Sequence, residues 1–211
     1  MNRTTIPADL IVYVNEEILP QYTNFDKAHR MDHAVRVIEE SLQLARFYDV
    51  DLPMVYGIAA YHDLGLSEGR EFHHIASGKI LLGDEQLHQW FSDDQLHVMQ
   101  EAIEDHRASN AHEPRSIYGK IVAEADRIID PELTLRRTVQ YGLSKYPEMD
   151  KEEQFKRFKK HVEEKYGVGG YIKLWIPQSE NAKQLSGLRR IIADDDQLLA
   201  IFNTLYAEET E

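Results

Sequence analysis

Four side chains in the sequence have the chemistry to hold a divalent cation: His33, the adjacent pair His62 and Asp63, and Asp126. Imidazole nitrogens and carboxylate oxygens together suit first-row and similar divalent ions. The run LPMVYGIAA (52–60) that leads to the pair carries no charge, so the helix ending there is expected to be buried on most of its surface. Two polar groups at the end of such a helix need partners, because an unpaired buried polar group costs roughly 2–7 kcal/mol and an ion more. His33 shares a helical row with Val37 and Leu44, and Asp126 lies in an apolar stripe between Val122 and Ile129. Taken singly, His33 is more often a hydrogen-bonded core histidine, and Asp126 would as readily cap a helix or pair with a cation. Four such groups on three helices point to a bound metal ion.

The elements that must position them read as helices throughout. Apolar residues recur at i, i+3 and i+4 over 8–20, 27–48, 53–63, 73–82, 94–107, 117–129, 131–144, 151–166 and 179–209. Alternating β-branched runs are missing, and SEGRE, SNAHEP, SKYPEMD and GVGG mark loops. The expected fold is all-α. A single compact helical bundle over 1–211 is expected, with the metal-site core at about 20–130 and C-terminal helices at about 131–211 packed onto it.

Composition narrows the function. A formal net charge of −13 disfavours non-specific nucleic-acid binding, which depends on basic surface. Cysteine is absent, which removes disulfides, thiolate metal sites and thiol nucleophiles, while ten histidines leave nitrogen and oxygen ligands for a cation. No stretch approaches the roughly 18 apolar residues of a membrane span. The first apolar run soon meets Glu16 and Glu17, so neither a signal peptide nor a membrane partner is expected, and the expected location is the cytoplasm.

The order His33, His62-Asp63, Asp126 resembles the H…HD…D signature of the HD superfamily of metal-dependent phosphohydrolases. DKAHRMDHAVRV (26–37) is similar to that family's D-x-x-H followed by H-x-x-R-V. AAYHDLG resembles its A-x-x-H-D-hydrophobic-G block, and GKIVAEADRIID its V-x-x-A-D-R block. Small bacterial members of similar length also continue with helices like FKRFKKHVEEKY and AKQLSGLRRI. The resemblance implies an HD-type bundle in which His33, His62, Asp63 and Asp126 ligate a divalent ion (Mn, Mg, Fe, Co, Ni or Zn). His62 and Asp63 are then the catalytic pair, with Asp63 orienting the attacking water. EFHHIASGKILL and QEAIEDHRAS extend the likeness to members with additional histidines, which makes His73 and His106 candidates for a second metal or a phosphate contact. A histidine hydrogen-bonded in the core is the plainer reading of each. One firmly bound ion is favoured, with these two histidines aimed at a weaker second ion or at phosphate.

Arg36, at i+3 from His33, and His29, one turn before it, are the candidate substrate contacts. The motifs that mark alarmone and cyclic-di-GMP hydrolases in the family are missing: LGLSE follows the pair, Leu66 stands where some members have lysine, and no G-Y-P occurs. The implied activity is hydrolysis of a phosphate ester or pyrophosphate bond in a small phosphorylated metabolite such as a nucleotide. Two alternatives stay open: a non-catalytic module that binds a nucleotide and signals to a partner, and a di-iron oxygenase of HD type. A homodimer also stays open.

Overall fold

A computed structural model describes residues 2–25, 31–107, 110 and 112–210. The described residues are 72% helical, with ten α-helices and no strand among them. They are α1 (Ala8–Tyr13), α2 (Met31–Ala45), α3 (Leu52–Tyr61), α4 (His73–Leu82), α5 (Asp93–Asp105), α6 (Ile117–Ala125), α7 (Pro131–Lys145), α8 (Lys151–Tyr166), α9 (Glu180–Ala193) and α10 (Asp195–Thr210). The chain divides into two compact units, one of Met1–Arg127 with Trp175–Gln178, the other of Ile128–Leu174 with Ser179–Glu211.

The first unit is built around α3. Asp51 caps it by accepting from the Met54 N–H, and Pro53 sits in its first turn, where no intrahelical donor is lost. Every residue from Pro53 to Tyr61 is buried, as the uncharged run requires. Helix α2 packs on α3, α4 on α5, and α6 against α2, α3 and α5. Gly57 allows the close approach of α5, since a Cβ there would lie 2.7 Å from the Met99 methyl. Ser92 and Gln95 form a reciprocal capping box that starts α5. The core of this unit joins Tyr22, Val37, Ile58, Met99, Ile103 and Ile121. The second unit has its own core, in which Phe158 and Phe202 meet with ring centroids 5.2 Å apart and pack among Leu135, Leu188 and Leu198.

Three helical stretches differ from the periodic reading. Over 8–20, regular winding ends at Tyr13, widens over Val14–Ile18 and tightens over Leu19–Asn24. Pro20 causes this, because it has no N–H for the Glu16 carbonyl and its ring crowds that group. The helix expected to reach 129 stops at Ala125, so Asp126 is its C-cap rather than an interior residue. The pattern over 179–209 breaks at Asp194, whose extended backbone ends α9 and whose carboxylate accepts from the Gln197 N–H to start α10. Its DDD run is therefore a helix start, with Asp195 and Asp196 favourably placed in the positive first turn.

Candidate metal centre

The four residues singled out by type and spacing converge. His33 Nε2 lies 3.1 Å from His62 Nε2, 3.4 Å from Asp63 Oδ2 and 3.3 Å from Asp126 Oδ1. His62 Nε2 is 3.3 Å from Asp63 Oδ2 and 3.8 Å from Asp126 Oδ1. Ligands bonded at about 2.1 Å to one ion are separated by about 3.0 Å in an octahedron and about 3.4 Å in a tetrahedron. The donor spacings therefore fit a small divalent ion.

Local backbone geometry explains how neighbours in sequence reach one point. Side chains of consecutive helical residues diverge by about 100°. His62 is still helical, but Asp63 has φ −115° and ψ 5°, outside the helix, and that departure turns its carboxylate toward the same point. His62, His106 and Asp126 are the C-cap residues of α3, α5 and α6. Helix C-termini present unsatisfied carbonyls and partial negative charge, which favour a cation.

Those carbonyls also orient the rings. Nδ1–H of His62 donates to the Ala59 carbonyl at 2.8 Å, that of His106 to Ile103 at 2.6 Å, and that of His73 to Arg70 at 2.8 Å. In each case the acceptor is three residues earlier, and the bond leaves the Nε2 lone pair available to a metal.

His73 and His106 belong to a second group. Their Nε2 atoms are 3.3 Å apart and lie 3.4 and 3.5 Å from Asp63 Oδ1. Asp63 thus offers one oxygen to each of two donor sets, His33–His62–Asp63–Asp126 and Asp63–His73–His106, each with its ligand atoms within 4.8 Å of one another. His74 is buried beside them but belongs to neither set. Arg107, which follows His106, donates to the Glu71 carbonyl and ties the end of α5 to the segment before α4.

The residues 30–129 match the family model of the HD domain. This span is an HD domain. No curated protein and no solved structure gives a match. All six residues of the two donor sets fall within the matched span, and the second unit begins at Ile128, near its end.

The candidate substrate contacts fare differently. Arg36 Nη1 donates to the Ala125 carbonyl at 3.0 Å and Nη2 to the Asp126 carbonyl at 3.3 Å, with Nη2 also 3.3 Å from His33 Nδ1. Arg36 therefore fastens α2 to the end of α6, so that His33 and Asp126 stay together. His29 lies outside the described residues.

Two contributors had no polar pattern in sequence to reveal them. The wholly buried Tyr22 donates its hydroxyl to the Ala60 carbonyl at 2.9 Å and accepts from the Asp63 N–H at 3.3 Å, clasping the end of α3. Burial, with the nearby Asp63, pushes this phenol well above its ordinary pKa and keeps it a donor. Gly65 follows the pair, and a Cβ there would clash with the backbone of His73 and Ser77. Its N–H donates to the buried Ser77 Oγ at 2.8 Å, holding the turn after Asp63 against the start of α4. Ser77→Ala leaves that N–H unsatisfied and should lower stability by about 1–3 kcal/mol; denaturant unfolding of both proteins checks this.

Charge is tightly balanced at the centre. Burial alone would raise the Asp63 carboxyl, but His62, His106 and His33 outweigh it and hold the group well below the usual carboxylate range. Burial would lower His33, yet hydrogen bonds to Asp126 and Asp63 win and raise it from 6.5 to about 9. A histidine raised in this way stabilises the metal-free fold fully below pH about 6.5 and loses that contribution as pH rises through about 9. Metal must displace the same proton. Apparent metal affinity should therefore rise by about tenfold per pH unit between pH 7 and 9 for that displaced proton, while the metal-free protein loses stability over the same range. Competition with a chelating dye across pH, alongside thermal melts of the stripped protein, measures both slopes.

Proposed function

We propose that this protein is a metal-dependent phosphohydrolase acting in the cytoplasm on a small phosphorylated metabolite, a nucleotide being the favoured class. The observation that carries the reading is the Asp63 carboxylate, which faces two imidazoles through each of its oxygens. A divalent ion held there would lower the pKa of a coordinated water to about 7 and polarise a phosphoryl oxygen. Asp63, charged and buried, is the group that orients the attacking water. His33 and His62 serve through Nε2, His62 being locked in its tautomer by the Ala59 carbonyl. Positive charge gathered at one point also gives an anionic substrate a reason to approach a chain of net charge −13.

The test is hydrolysis of a panel of nucleoside mono-, di- and triphosphates and simple phosphate esters with Mn²⁺, Mg²⁺, Co²⁺ or Fe²⁺, with and without oxygen. Release of phosphate or diphosphate that stops on chelation and needs no oxygen supports the proposal. Turnover that depends on oxygen, or nucleotide binding without turnover in any metal, rejects it.

A further inference from the structure

The second unit contains a cavity of about 300 Å³ between α7 and α8, lined by Arg137, Arg157, His161 and Lys165 together with Tyr141 and Tyr166. Arg157, His161 and Lys165 recur every four residues, so α8 presents them as one stripe, and Arg137 of α7 joins them. Like charges at this spacing destabilise a helix. Burial, followed by repulsion from Lys165 and Arg157, pushes His161 below its ordinary pKa.

This arrangement stands out against its surroundings. Nearby basic side chains are matched with acids: Arg136 with Glu132, Glu208 and Glu209, Lys156 with Glu152, Lys159 with Asp195, and Lys160 with Glu164. Among the described residues, none of Arg137, Arg157, His161 and Lys165 has a carboxylate oxygen within 4.0 Å.

Arg157 is also held in place. Its Nη2 donates to the Thr138 carbonyl at 2.6 Å, and its Nε donates to Gln154 Oε1 at 3.4 Å. Gln154 is buried and anchored in turn, donating to the carbonyls of Gly142 at 3.2 Å and Tyr146 at 2.8 Å. A Cβ at Gly142 would clash with Arg157 and Gln154, so the glycine makes room for the guanidinium. A half-buried arginine fixed by neutral acceptors keeps its full charge and its remaining donors for a ligand.

We propose that this cavity is a second site, separate from the metal-ligand residues, that binds a small phosphate-bearing anion. Two guanidiniums and an ammonium exceed what a monocarboxylate would neutralise, and the guanidinium fork matches phosphate oxygens. The volume stands at the lower end of small-molecule pockets, about 300–1,000 Å³, which suits a diphosphate or a compact phosphorylated metabolite. None of its lining residues belongs to either metal donor set, so the site can be tested apart from hydrolysis.

The experiment is calorimetric titration of inorganic diphosphate into the full chain after treatment with a chelator to strip any bound metal. Binding with Kd below about 1 mM, weakened tenfold or more in Arg137→Gln and in Arg157→Gln and unchanged in Asp126→Asn, is expected. Arg137 is exposed, so its variant remains informative if the Arg157 variant folds poorly. No binding to the stripped protein, or binding that Arg137→Gln leaves intact whether or not Asp126→Asn alters it, would overturn the proposal.

Discussion

Asp63→Asn is expected to reduce turnover by about 10³-fold or more, the equivalent of about 4 kcal/mol of transition-state stabilisation. An amide cannot supply two charged oxygens to two donor sets, and its nitrogen would face imidazoles whose Nε2 atoms now stand 3.3–3.5 Å from the carboxylate. Both sets should lose metal affinity together. The metal-free variant should also be less stable at pH 7. Asp63 titrates far below neutrality because of its imidazole neighbours, so its favourable contribution is fully present above the unfolded carboxylate pKa and is lost only as pH falls through the folded value. Removing one partner from such a buried group costs about 3 kcal/mol or more. Activity at saturating metal, metal content and a urea melt measure the three effects. Wild-type turnover in the variant would refute the assignment of the centre.

His106→Ala should separate the two donor sets. His33, His62, Asp63 and Asp126 all remain, and with them the set that has two carboxylates. The second set drops from three ligands to two, Asp63 and His73. Imidazoles hold hard cations less well than carboxylates do, so this set should bind the weaker ion and lose it in the variant. Metal content at saturation should fall from two equivalents to one, with turnover lowered about 10–100-fold, the range for disturbing a metal site without destroying it. If content stays near one equivalent in both proteins, His106 and His73 serve a phosphate group instead. His106 is wholly buried, so the alanine leaves a cavity, and circular dichroism must first show that the fold persists.

Much of this centre was legible because its signals are local. The pair His62-Asp63 announces itself through the uncharged run before it, and α3 is buried over Pro53–Tyr61 as that run requires. His33 could be found from the helical row it shares with apolar residues. Asp126 was found by the same reasoning, yet it sits one residue past the end of α6. Periodicity cannot distinguish a polar residue within a stripe from one that caps it. The roles of Tyr22 and Gly65 were hidden for a different reason. A tyrosine among apolar neighbours and a glycine after a leucine carry no polar pattern, and their roles arise from contacts with residues 38 and 12 positions away.

Residue type and helical period, which are properties of each segment alone, already specify the all-α class and the nitrogen and oxygen donors His33, His62, Asp63 and Asp126, whereas His73 and His106 entered through the likeness to the HD family. The packing of the helices decided that Asp63 turns one oxygen to each set. It also decided that Arg36 binds the end of α6, and that the α8 stripe joins Arg137 around a cavity. Those outcomes depend on which helix ends meet and at what angle. Packing of side chains distant in sequence sets that geometry, and no single segment encodes it.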